Sequence, residues 1–416
     1  MSAAMAPFSL FARVGVELEY MIVAEEGLSV LPASDELIRQ MTGGWDSDVE
    51  RGSIAWSNEL VLHVIELKTN GPATSLAGLA AGFQGEVREM NRRLRVLGGR
   101  LMPTAMHPWM NPRRETRLWP HDNSPIYEAF DRIFGCQGHG WSNLQSMHLN
   151  LPFANDEEFA RLHAAIRLLL PLLPALAASS PFRDGLLTGD CDTRLAVYRV
   201  NSARIPSVTG RVIPEAVFTQ REYEEKILRR IYRDIAPLDP EGILQEEFSN
   251  ARGAIARFSR HSIEIRLIDI QECPAADLAI AAATWAILQG LVEERWSDLA
   301  HQKSFGAEFL EEILLGTIHE ADLAPLADEG YLRAFGVTGK RPLTAGQLWR
   351  HLLSEVRLPD AGGSDCWSES LSVILDQGPL ARRIARAVGS GAARERLGEV
   401  YGQLCDCLAQ GRQFVD

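Results

Sequence analysis

Glu17 and Glu19, Glu59 and Glu66, His148 and Asn150, and Glu264 and Arg266 stand in four short stretches of the chain. The stretches are Gly15-Val16-Glu17-Leu18-Glu19-Tyr20, residues 59–69, residues 145–150 and residues 262–269. In the first, third and fourth, apolar residues fill the alternate positions. Successive side chains of a strand point to opposite faces. Glu17 therefore shares a face with Glu19, His148 with Asn150, and Glu264 with Arg266. A sheet with one apolar face and one face of carboxylates, imidazole and guanidinium builds a poor core and a good site for metal ions and phosphate.

Carboxylates gathered on one face repel one another unless cations sit among them. Hard oxygen ligands suit Mg²⁺ or Mn²⁺, and Mg²⁺ commonly bridges protein carboxylates to substrate phosphates. Glu17, Glu19, Glu59, Glu66 and Glu264 are the candidate ligands, with His148 as a nitrogen ligand. Each has a plainer reading alone: a solvated strand face, a satisfied histidine, or a cross-strand ion pair. Their joint occurrence favours the functional one. Glu59 and Glu66 are seven apart, so a straight strand would set them on opposite faces. They share a site only if a bulge intervenes or Glu59 lies before the strand proper.

The elements that must position these groups follow from the same pattern. Strands are expected over 14–23, 61–67, 100–105, 145–151 and 262–269. A helix is expected over 34–41, capped by Ser34 and stopped at Thr42-Gly43-Gly44, and another over 75–97, closed by Gly98-Gly99. Residues 107–140 read as an ordered, functional loop rich in proline and tryptophan. Asn155 caps a helix running to about 178 and bent at Pro171 and Pro174. A second loop zone spans 179–215, and 219–236 reads as a charged, solvent-facing helix. From Pro274 onward the chain reads as almost wholly helical, broken near Gly316, Gly330, Gly336, Pro342, Gly362-Gly363 and Gly389. Alternating rather than continuous hydrophobicity points to an α+β fold, an antiparallel sheet with one face under helices. The expected organisation is a single catalytic domain over 1–416, with a sheet-bearing core at about 10–290 and a helical extension at about 291–416.

The net charge of −13 argues against nucleic-acid partners. Six scattered cysteines without a CxxC pair read as structural thiols in a reducing, cytoplasmic setting. The N-terminal ten residues lack a secretory pattern. The apolar runs 168–178 and 275–292 fall short of a membrane span and read as buried helices, so no membrane is expected. No Gly-x-Gly-x-x-Gly follows a strand and no Gly-x4-Gly-Lys-[Ser/Thr] occurs, so a nucleotide would not be held by a Rossmann turn or a P-loop.

The ordered set of motifs resembles the glutamate–cysteine ligase type 2 and carboxylate–amine ligase family. Gly15-Val16-Glu17-Leu18-Glu19-Tyr20 looks like its GxExE opening, and Glu59-x6-Glu66-x2-Thr69 like its second acidic strand. Gln145-x2-His148-x-Asn150 is similar to its central histidine strand. Ala178-Ser179-Ser180-Pro181-Phe182 is similar to its helix-end loop, and Ser262-Ile263-Glu264-Ile265-Arg266-Leu267-x-Asp269 to its late strand. The resemblance implies a glutamine-synthetase-like curved antiparallel sheet forming an active-site funnel, helices on its outer face, and a helical C-terminal third. It implies ATP entering one end and substrates the other. A carboxylate, usually the γ-carboxylate of glutamate, is activated as an acyl phosphate and captured by an amine.

In these terms Glu17, Glu19, Glu59, Glu66 and Glu264 would ligate Mg²⁺ or Mn²⁺, with His148 near metal and phosphate. Glu66 and Arg266 would be catalytic, Arg266 at the transferring phosphoryl group. Thr69, Gln145 and Asn150 would contact ATP or substrate. Arg183, Arg194, Arg199, Arg204 and Arg211 recur through 179–215, and arginine forks bind carboxylates bidentately. Arg204 is the first choice for a substrate carboxylate or ATP phosphate, with Arg194 beside it. Partners are expected to be small molecules, and a homo-oligomer is compatible. Glutamate–cysteine ligase proper, a guanidino phosphotransferase and a non-catalytic ATP-binding homologue are the alternatives.

Overall fold

The first strand, β1, runs from Gly15 to Ala24. Val16, Leu18 and Tyr20 are fully buried in the main core, as the alternation requires. Around it lie β2 (Asp48–Arg51), β3 (Ile54–Asn58), β4 (Val64–Thr69), β5 (Gly99–Met102) and β6 (Ser146–Pro152). A small hairpin, β7 (Phe182–Arg183) and β8 (Leu186–Leu187), stands apart. β9 (Ala254–Arg257) and β10 (Ser262–Asp269) complete the main sheet. Its order is β2-β3-β4-β1-β6-β10-β9, all antiparallel, and β5 pairs with the second half of β1. The computed structural model describes residues 7–339, 341–360, 366–389 and 393–415.

Several expected boundaries shift for local reasons. The first helix is Ser34–Thr42, but Ala33 holds the cap position and Ser34 is buried with its hydroxyl unpartnered. The second helix starts at Leu79 rather than 75, after Gly78 in the left-handed region, and tightens to a 3₁₀ turn at Arg95–Leu97. The loop zone 107–140 contains helices Pro112–Glu115 and Ser124–Phe134. Asn155 does cap the helix Asp156–Leu169, its Oδ1 accepting from Glu158 N at 3.0 Å. Pro171 falls in a 3₁₀ turn and Pro174 opens the next helix, Pro174–Ala177. The segment from Gln220 to Ile235 is helical, with a π turn at Glu224–Leu228. It is not simply solvent-facing, because Tyr223, Ile227, Ile231 and Ile235 are fully buried.

Helix Pro274–Val292 is long and apolar enough to cross a membrane by length and composition, yet it is almost wholly buried within the fold. The main core joins residues from Val14 to Leu408, and a second apolar cluster packs residues of the last two helices against Met21, Val23 and Met102 of β1 and β5. Gly336 and Gly389 end helices with positive φ, whereas Gly316 and Gly330 lie inside helices. Pro342 precedes a short strand, Leu343–Thr344, paired with Pro325–Leu326, which the helical reading of this region omitted. The expected break at Gly362-Gly363 lies outside the described residues. Cys136, Cys191, Cys273, Cys405 and Cys407 are free thiols.

Candidate active site

The cross-strand register assembles the polar face. Glu19 of β1 stands opposite Glu66 of β4. Glu17 lies between Lys68 on one side and His148 of β6 on the other. Glu264 of β10 stands opposite Asn150. Glu59 follows the end of β3 and precedes β4, so the offset-start explanation for its spacing holds and no bulge is needed there. At Gly15 a Cβ would come 3.1 Å from Asn150 Cβ, so a side chain there would press on the neighbouring strand.

Glu17, Glu19, Glu59, Glu66, His148, Glu264 and Arg266 line one cavity of about 490 Å³. His148 Nδ1 is 2.8 Å from Glu17 Oε2 and 3.9 Å from Glu264 Oε1, and its Nε2 is 3.0 Å from Ser146 Oγ. Asn150 Nδ2 donates to Glu17 Oε1 at 3.0 Å. Ser146 holds Glu19 Oε2 through its backbone N at 2.6 Å and its hydroxyl at 2.9 Å. Ser57 Oγ donates to Glu66 Oε1 at 2.5 Å, and Lys68 Nζ lies 3.6 Å from the same oxygen. Arg266 forks onto Glu264 Oε1, its Nε at 3.1 Å, while Arg257 Nη1 reaches Glu264 Oε2 at 3.4 Å.

These contacts divide the carboxylates into two kinds. Burial opposes charge on Glu264, but Arg266, His148 and Arg257 outweigh it and bring its carboxyl down to about 2. Burial, reinforced by Glu17, pushes Glu66 up to about 7 despite Lys68 and Ser57. Burial, then Glu19 and Glu66, holds Glu59 well above the usual carboxylate range. Burial also works against a charged His148, yet Glu19, Glu17 and Glu264 raise it to about 9. Without added cations the cavity therefore keeps protons where positive charge is wanted. Ligand atoms of Glu17, Glu66 and His148, and of Glu19, Glu59 and Glu66, lie within 4.8 Å of one another in each group. This set of closely spaced carboxylates and an imidazole fits one or more divalent cations.

Other predicted residues fare differently. Thr69 and Asn150 line an adjoining cavity of about 660 Å³, which meets the acidic one at Glu17, Lys68 and Arg260. Thr69 Oγ1 also accepts from Val16 N at 3.2 Å, tying β4 to β1. Gln145 does not reach either cavity: it is fully buried on the side opposite Ser146 and His148, its amide unpartnered. Arg204 is exposed, lines neither cavity, and donates to Ile133 O at 2.7 Å. We therefore expect Arg204→Ala to leave KM for every substrate within about twofold, since it loses only an exposed contact; steady-state kinetics checks this. Arg194 lines the acidic cavity but spends its guanidinium on Asp269 and two backbone carbonyls.

Sequence reasoning missed Ser57, Lys68, Ser146, Tyr127, Arg257 and Arg260, which join the wall or hold it. Lys68 and Ser146 were findable, each two residues from a chosen group on the same face. Arg257 and Ser57 sit on strands that were not foreseen.

An antiparallel sheet with a carboxylate floor suited to divalent cations, opening into a second cavity, is the kind of site that handles metal-bound phosphates. The chain belongs to the glutamate–cysteine ligase family 2, whose model matches residues 13–402. An uncharacterized protein of Archaeoglobus fulgidus is 37% identical over 291 residues, covering 70% of this chain and 78% of that one. Among solved structures, a glutamate–cysteine ligase from Francisella tularensis in complex with AMP aligns with a TM-score of 0.58 at 14% identity, covering 98% of this chain and 90% of that one. A bifunctional glutathione synthetase from Pasteurella multocida aligns with a TM-score of 0.61 at 14% identity, covering 96% of this chain and 53% of that one. The chain thus spans about half the length of the Pasteurella protein. At these identities the likeness is one of fold, and it bears out the expected α+β sheet architecture.

Proposed function

We propose that this chain is an ATP- and Mg²⁺-dependent ligase that joins a carboxylate, with the γ-carboxylate of glutamate as first candidate, to an amine. The carboxylate is activated as an acyl phosphate, and ADP and phosphate are released. The observation that carries this reading is the convergence of Glu17, Glu19, Glu59, Glu66, His148, Glu264 and Arg266 on one cavity wall. Membership of the family supports it.

The two joined cavities give the reaction its layout. The larger offers Phe8, Pro72 and Pro152 beside Asn150 and Arg260, a mixture suited to a nucleoside. The acidic one is walled by Tyr127, Phe130 and Trp141, beyond the carboxylates. Divalent cations, when bound, would neutralise the phosphate oxygens and the carboxylates together. Glu17, Glu19, Glu59, Glu66 and Glu264 would hold them. Arg266 sets a planar fork toward the charge that develops during transfer. Glu264 holds that fork in place, and the aromatic wall limits water around a readily hydrolysed intermediate.

Incubation with ATP, Mg²⁺, glutamate and a panel of amines is expected to release ADP and phosphate. Release of AMP and pyrophosphate would assign an adenylate mechanism instead, and no nucleotide turnover with any carboxylate would sink the reading. Glu264→Gln is expected to lower turnover by at least about 10²-fold, because it unseats both a cation ligand and the anchor of Arg266. Full turnover in that variant would remove Glu264 from the site.

A further inference from the structure

β10 is not a regular strand. Ile265 pairs with Leu149 and Ile268 with Met147, so three steps on β10 match two on β6. The extra residue falls at Arg266-Leu267, and it turns Asp269 to pair with Ser146 on the cavity side. Without that bulge Ile268 would take the place of Asp269, and an apolar side chain would face the polar layer.

The bulge is gripped from two sides. Arg266 N donates to Gly253 O at 2.9 Å. On the other side Arg194 Nη1 donates to Arg266 O at 3.4 Å and Nη2 to Leu267 O at 2.7 Å, while Nε pairs with Asp269. Asp269 Oδ2 also accepts from Ser179 N and Ser180 Oγ, each at 2.9 Å, and Ser180 Oγ in turn accepts from Arg194 N at 3.1 Å. This ring is closed and almost wholly buried, although Arg194 borders the acidic cavity: the side chains of Arg194 and Asp269 are 2% and 0% exposed. Gly253 completes the seat, since a Cβ there would come within 2.6 Å of the Leu267 side chain.

A buried ion pair is a weak source of net stability, because desolvating two charges consumes most of the attraction. Yet Arg194 spends two donor groups on the carbonyls of Arg266 and Leu267, the two bulged residues, and its third on Asp269. We propose that Arg194 and Asp269 form a positioning clamp for Arg266. They fix the bulge so that the Arg266 fork meets the reacting phosphoryl group, and neither touches substrate. The inference rests on the proposed role of Arg266.

The test is a double-mutant cycle read by ADP release and by thermal melting. Arg194→Lys cannot hold Asp269 and both carbonyls with one ammonium. It is expected to lower kcat about 10- to 100-fold with KM for ATP and carboxylate within about threefold, the signature of misplacement rather than lost binding. Asp269→Asn is expected to give the same split. In an Arg266→Lys background, Arg194→Lys should cost no more than about twofold further, because the group it positions is already gone. An Arg194→Lys enzyme with normal kcat, or one whose loss multiplies with that of Arg266→Lys, overturns the clamp while leaving Arg266 in its role. An Arg266→Lys enzyme with normal kcat removes Arg266 itself and the clamp's purpose with it. Failure of both Arg194→Lys and Asp269→Asn to fold assigns the pair to the fold alone and also overturns the proposal.

Discussion

Arg266→Lys is expected to lower kcat by about 10²- to 10³-fold, the scale for removing one preorganised donor from developing charge. The guanidinium grips Glu264 Oε1 with Nε at 3.1 Å and a second contact from Nη2, which fixes the plane of the fork. Lysine keeps the charge but presents a single point, so it can pair with Glu264 or meet phosphate, not both in one geometry. The side chain is 21% exposed, and the substitution removes no core contact, so the fold should survive. KM for ATP should move little, because the lost interaction matters most where charge develops. Steady-state ADP release beside a melting curve decides the matter. A near-normal kcat in a folded variant rejects a transition-state role.

The polar face was legible because period-two alternation is a local property. Glu17 with Glu19, His148 with Asn150 and Glu264 with Arg266 needed only the pleat to share a face, and all six line one of the two joined cavities. What escaped was set by pairing at a distance. β2 and β9 are only four residues long, β2 mostly charged and β9 rich in alanine, and neither has a strong strand signal of its own. They form because β3 and β10 offer edges to pair with. Arg257 came to the site with β9 and so was missed. The odd spacing in 59–66 raised the idea of a bulge, but the bulge lies in β10, where Glu264-x-Arg266-x2-Asp269 carries the same parity break. Arg204 was chosen for its residue type in a loop, and residue type does not say which way a loop turns. Gln145 sits three residues before His148, an odd step that places it on the opposite face.

In the absence of divalent cations the protein is expected to lose thermal stability as pH rises from 6 to 8.5, and Mg²⁺ or Mn²⁺ to restore it. The sign follows from two groups. Glu66 titrates near 7 when folded against an ordinary 4.5, so between these pH values the folded protein keeps a proton that the unfolded chain has released. Stability then falls with rising pH and stays low above 7. His148, raised to about 9 from 6.5, contributes stability that is present below 6.5 and lost as pH passes through 9. Both point the same way. Glu264, brought down to about 2, acts in the opposite sense but only below its ordinary 4.5, outside the window measured. A divalent cation supplies the positive charge that those protons supplied, and it binds the deprotonated form. Its stabilising effect on the melting temperature should therefore be several degrees at pH 8.5 and small at pH 6. Glu66→Gln, which cannot titrate, should flatten the pH slope in chelator and weaken the response to Mg²⁺. Equal melting shifts at both pH values, or a metal-free protein that gains stability toward pH 8.5, would show that the carboxylate cluster is not the cation site.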